Sequence, residues 1–132
     1  EADVARVTIH QRGKMRQLER HGTNSWALSA GEGIINTFGV EETVHRLGGL
    51  YAIQWVARGE TDLARYGFGP DGLQVTLELT SGGKLEVRFG GTSPSRLTYA
   101  ATTLEGQVWM FECPPAISES VRLYLAILPN GP

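Results

Sequence analysis

Cysteine is almost missing from this chain. Cys113 stands alone, so no internal disulfide can form, and the chain carries no redox signature in either direction. Also lacking are a signal peptide and any apolar run long enough to cross a bilayer. Charge of one sign is lacking too: 12 basic against 14 acidic residues leave a net charge of −2, mixed along most of the length. Without a basic field to neutralise phosphates, nonspecific nucleic-acid binding is excluded. No internal repeat and no low-complexity tract appear. The chain opens at Glu1 with no methionine, and the expectation is a piece of a longer protein from which a leader or anchor was removed.

What is present is ordinary globular material. With 132 residues, 41% hydrophobic and 20% charged, the chain fits a single domain, 1–132. A domain of that size buries roughly two-thirds of its unfolded surface and needs no metal or disulfide to hold a core.

Periodicity supplies the elements. Ala5, Val7 and Ile9 alternate with Arg6, Thr8 and His10, the period of a half-buried strand running from Val4 to His10. Gln11-Arg12-Gly13-Lys14 reads as a hairpin turn, and the return strand from Met15 to His21 is charged enough to belong at an edge or on a solvated face. Trp26 and Leu28 share a face after a second turn cluster, and 29–33 reads as a loop. Val40, Val44, Leu47, Tyr51 and Trp55 recur every three or four positions, which predicts one long helix over Val40–Val56, with Asn36 or Thr37 as its cap. Gly48-Gly49 in its middle costs about 1 kcal/mol per glycine against alanine and implies either close packing on the sheet or a break; close packing is the preferred reading.

Leu73, Val75, Leu77 and Leu79, then Leu85, Val87 and Phe89 beyond the Ser81-Gly82-Gly83 turn, predict a hairpin with one dry and one wet face. Each of those side chains contributes about 1.5–3 kcal/mol on burial, reason enough to expect a helix across them. A second hairpin is expected from Leu97–Thr102 and Gln107–Glu112, the latter apolar on both faces at Val108–Phe111. Ile117, Val121, Tyr124 and Leu128 have helical spacing, with Ser118 as the candidate cap. The predicted fold is α+β: an antiparallel sheet of about five to seven strands covered by one long helix, with a C-terminal helix.

Candidate chemistry is sparse. Gly67-Phe68-Gly69-Pro70-Asp71-Gly72 matches a dinucleotide glycine pattern, but such a loop must follow a strand and open a helix. Here it follows a helix and opens a strand, with Pro70 removing one amide, so it reads as a turn and no cofactor is assigned. His10, His21 and His45 fall in three separate elements without ligand spacing, so no metal site is assigned. His10 and His21 could meet across the first hairpin, although solvated strand positions are the plainer reading. Cys113, between Glu112 and two prolines, reads as a buried apolar residue and not a nucleophile. Glu41 and Glu42 point to different sides of a helix and cannot work on one bond. No catalytic residue is assigned. Arg6, Arg12, Lys14, Arg16 and Arg20 concentrate positive charge in the first hairpin and are the candidate partner surface, suited to an acidic partner or anionic lipid. The plainer reading of these five is a solvated strand face.

Val7 and Ile9, Trp26-Ala27-Leu28, Val44, Leu47 and Leu50, then Tyr66-Gly67-Phe68 with Pro70 beyond form a recurring constellation. It continues through Val75 and Leu77, Gly82-Gly83, Val87-Arg88-Phe89-Gly90, Tyr99-Ala100 and Val108. Together these resemble the bacterial family catalogued as domain of unknown function 4340, found beside gliding-motility-type ABC transporters, over nearly the whole chain. Phe68 stands where that family usually has leucine, and Gly69 where an acid is common. The resemblance implies a non-catalytic module, membrane-anchored through a segment outside this chain, exposed on the periplasmic side, and bound to protein partners or to other domains of its own chain. The alternative from another class is a small-ligand-binding or enzymatic domain of cystatin-like architecture, in which a curved sheet wraps a helix around a cavity. A third reading is one unit of a longer, repeated extracytoplasmic protein.

Overall fold

Alternation and turn chemistry build most of the molecule. A computed structural model describes residues 4–21, 25–31, 35–48, 54–58, 66–69, 72–104 and 106–125. Among them the elements run β1 (Val4–Gln11), β2 (Lys14–Arg20), β3 (Trp26–Ala30), α1 (Thr37–Gly48), β4 (Gln54–Arg58), β5 (Gln74–Leu79), β6 (Lys84–Thr92), β7 (Thr98–Leu104), β8 (Gln107–Cys113) and α2 (Pro115–Tyr124). The eight strands form one sheet in the order β3-β2-β1-β5-β6-β7-β8-β4. Its pairings are antiparallel throughout, so the fold is α+β.

The expected hairpins are present. Arg12 and Gly13 take φ of 51° and 72°, the doubly left-handed backbone of a tight two-residue turn. Val75 faces Val87 and Leu77 faces Leu85 across β5 and β6, and these pairs lie on the dry side. Val7, Ile9, Leu18, Val75, Leu77, Val87, Phe89, Ala100, Phe111 and Cys113 line that side beneath α1 and α2. A bulge between Val4 and Arg6 brings Val4 into the core in place of Ala5.

The single long helix over 40–56 is not what forms. Helix α1 is described for 12 residues, to Gly48, and by Gln54 the chain is a strand paired with β8. Tyr51 and Trp55 extend the helical spacing numerically, but Trp55 and Val56 are an aromatic and a β-branched residue, types that fit a pleated surface. Next to it β8, apolar on both faces, needs a neighbour on its outer side. Of the two readings of the glycine pair, a break is the one consistent with β4; Gly49 itself lies outside the described residues. This strand is also the one that takes the sheet beyond seven. The start of α1 is settled by Asn36, whose Oδ1 accepts the Gly39 N–H at 2.9 Å.

Two smaller corrections follow from topology. Strand β2 is not an edge, because β3 lies outside it. Helix α2 begins at Pro115 and not at Ser118; proline at the first helical position has no N–H to leave unpaired. Ile117 and Val121 are buried as the spacing requires, while Leu128 lies outside the described residues.

The two helices meet through small residues. A Cβ on Gly39 would collide with the Tyr124 ring, so glycine at this position admits the aromatic. One turn on, the buried Thr43 hydroxyl donates to Gly39 O at 2.7 Å and lies 3.4 Å from Ser120 O. Arg20, Trp26 and Glu41 tie β2, β3 and α1 together. Glu41 Oε1 accepts both the Trp26 indole N–H and an Arg20 N–H at 2.8 Å, and the Arg20 guanidinium stacks 4.6 Å over the indole.

Candidate functional site: the hollow beside the Tyr66–Gly69 hook

On its other side the sheet is polar from β3 to β6 and apolar at β7 and β8, where Ala101 and Met110 face each other. Phe68 covers that apolar end, with Tyr66, Tyr99 and Val108 around it. The Tyr66 and Tyr99 rings meet edge to face at 5.2 Å. Glycines let the hook come this close. Gly67 has φ of +88°, and a Cβ there would overlap the Gly91 nitrogen and lie 2.6 Å from its Cα; a Cβ on Gly90 would lie 2.9 Å from the Phe68 ring. The two stretches, Tyr66-Gly67-Phe68 and Val87–Gly90, thus form one contact.

Beside the hook lies a hollow of about 100 Å³. Its floor is one cross-strand row: His10 on β1 pairs with Gln74 on β5, and Gln74 with Arg88 on β6. Directly opposed residues of antiparallel strands project to the same face, so three hydrogen-bonding side chains converge. Phe68 forms one wall, with Arg88 Cζ 5.9 Å from its ring centroid, and Gly69 and Gly72 flank the opening. Residue spacing alone singled out His10 but neither Gln74 nor Arg88. Their alternation on the wet face was visible, but the β1–β5 register that brings them beside His10 was not.

The five basic residues of the first hairpin do not converge. Arg6 lies between Glu19 (2.9 Å) and Glu78 (3.6 Å) on the polar face. Arg20 is held by Glu41 and by Val4 O. Arg16 is opposite Ile9 on the core side, only 7% exposed, and burial lowers its pKa from the usual arginine value. Arg12 is in the turn itself, and Lys14 follows it, exposed. His10 and His21 stand at opposite ends of the first hairpin and do not meet, since His10 pairs with Met15. Glu41 and Glu42 diverge as expected, Glu42 pairing with Arg46 at 3.3 Å. Trp26 is core at 4% exposure, whereas the side chain of Trp55 lies outside the described residues.

Cys113 is buried on the core side, and desolvation pushes its thiol up to about 12 against an opposing hydrogen bond from the Ser118 backbone. A thiol held protonated is not a nucleophile at neutral pH. Among the described residues no three His, Cys, Asp or Glu side chains gather as metal ligands would. Among the same residues no helix is long and apolar enough to cross a membrane. No family model, curated protein or solved structure matches this chain.

Proposed function

We propose that the chain is a non-catalytic binding module that assembles with protein partners of an extracytoplasmic, membrane-associated system linked to an ABC transporter. The observation that carries the assembly reading is the helical layer. Phe38 on α1 is 79% exposed and Leu123 on α2 is 60% exposed, each next in sequence to a residue of the Gly39–Tyr124 crossing. Exposed large apolar side chains on a rigid helix pair are what a docking surface presents. The sheet edges are poorer candidates: β3 and β4 have five residues each, and the pairing of each with its neighbour is bulged, which discourages strand addition. The transport link rests on the resemblance alone. Lys14, exposed at the first turn, offers a further contact for an acidic partner.

The test is co-purification of the tagged full-length protein from its own envelope. The parent should recover transporter subunits in stoichiometric amount, and Phe38→Asp/Leu123→Asp should lose them without a lower melting temperature. Equal recovery by parent and variant removes the helical layer as the docking surface.

A further inference from the structure

The hollow is specific enough to name what it takes. We propose that it receives a single carboxylate group from an acidic side chain of a peptide partner, with Arg88 as the anchor and His10 and Gln74 as flanking donors. The proposal rests on reading the chain as a binding module and specifies its chemistry. Arg88 is half-buried and stands against the Phe68 ring, yet no described carboxylate pairs with it. Elsewhere Arg6, Arg20, Arg46 and Arg122 each hold a glutamate. Nor do His10 and Gln74 spend their side chains on described neighbours. The three side chains stand on adjacent paired strands, so their backbone positions are set before any ligand arrives.

Size and charge select the ligand. A volume of about 100 Å³ falls well below the ~300–1,000 Å³ of sites that enclose a whole small molecule, so the hollow admits a group and not a molecule. The planar guanidinium fork matches a carboxylate through two parallel hydrogen bonds. One fixed positive charge balances one carboxylate, whereas a phosphate monoester brings nearly two negative charges. The face of Phe68 accommodates the aliphatic stem of an aspartate or glutamate. Among the described residues nothing lies within 4 Å of where a Gly69 Cβ would stand, so none of them closes the rim to an approaching main chain.

The test is an NMR titration of the whole ¹⁵N-labelled chain with N-acetyl-glutamate amide, N-acetyl-glutamine amide and N-acetyl-phosphoserine amide. The glutamate compound should give saturable shifts centred on His10, Gln74 and Arg88, and the glutamine compound should give none. Arg88→Gln should weaken binding by at least about tenfold, the low end for losing a charge-assisted hydrogen bond, and Arg88→Lys should lie between. Equal shifts from glutamine, tighter binding of phosphoserine, shifts centred elsewhere, or an unaffected Arg88→Gln would each overturn the proposal. Such a failure leaves the helical-layer co-purification untouched, so loss of the carboxylate anchor and loss of the assembly reading are told apart.

Discussion

Alanine at Gly67 tests how the hook is held. The substitution does two things at once. It forces an L-residue into φ of +88°, worth about 1–2 kcal/mol. It also drives a Cβ into the Gly91 backbone, where no side chain can rotate away, an overpacking of about 1–3 kcal/mol. The chain can escape this strain by lifting the hook off the sheet, so the cost is capped by what docking contributes. That is about 1.5–3 kcal/mol for covering Phe68 and about 0.5–1.5 kcal/mol for the Tyr66–Tyr99 pair. The two limits overlap at about 2–4 kcal/mol. At about 3–5 °C per kcal/mol for a chain of this length, the melting temperature should fall by roughly 6–20 °C. A domain with about 5–15 kcal/mol of stability still folds, so thermal and urea denaturation can both be read. Gly69→Ala is the control in the same hook. No described residue crowds the methyl and its backbone is not left-handed, so it should lie within about 1 kcal/mol of the parent. If Gly67→Ala melts within about 2 °C of the parent, or the two variants behave alike, the hook is not packed as described.

Three further outcomes follow from the core and the helix layer. Leu77→Ala, at a site 1% exposed beneath the helices, should cost about 2–5 kcal/mol in urea denaturation. Glu41→Ala strands the Trp26 indole N–H and the Arg20 guanidinium and should cost about 1–3 kcal/mol with an upfield shift of the Trp26 indole proton, whereas Glu41→Gln keeps an acceptor and should recover most of both. Cys113 should resist thiol reagents in the folded protein and react on unfolding. Its folded pKa, about 12, lies above the unfolded value of 9.0, so its contribution to stability is complete below pH 9 and is lost as pH climbs towards 12. The slope is at most about 1.4 kcal/mol per pH unit and should be missing from Cys113→Ala, measured by urea midpoints at increasing pH.

Most strands were legible because burial of one face forces a period of two, and Val75–Leu79 and Leu85–Phe89 keep that period without a break. The 54–58 segment was misread because Tyr51 and Trp55 continue a helical spacing by number alone; the β8 surface that needs β4 beside it, where Trp55 pairs with Phe111, is distant in sequence and invisible to a local window. Chemistry narrowed the cap to Asn36 or Thr37, since a side-chain oxygen before an apolar-periodic run suits the first free N–H groups, and the bond from Gly39 N–H selects Asn36. Charge density was the misleading signal at the first hairpin. It marked five cations but could not tell which had carboxylates opposite, as Arg6 does, or which faced the core, as Arg16 does. The hollow escaped for a related reason: His10, Gln74 and Arg88 become neighbours only through two strand registers.

The most direct measurement is photo-crosslinking of the full-length protein in its native envelope, with a photoreactive phenylalanine analogue placed at Phe38 or at Lys84. Phe38 is on the exposed helical layer, and Lys84 is exposed on the sheet's polar face opposite Glu78, at the end of β6 away from Arg88 and the hollow. A discrete protein adduct from position 38 and none from position 84 is the predicted result. An adduct from position 84 alone, or none from either, contradicts docking through the helices.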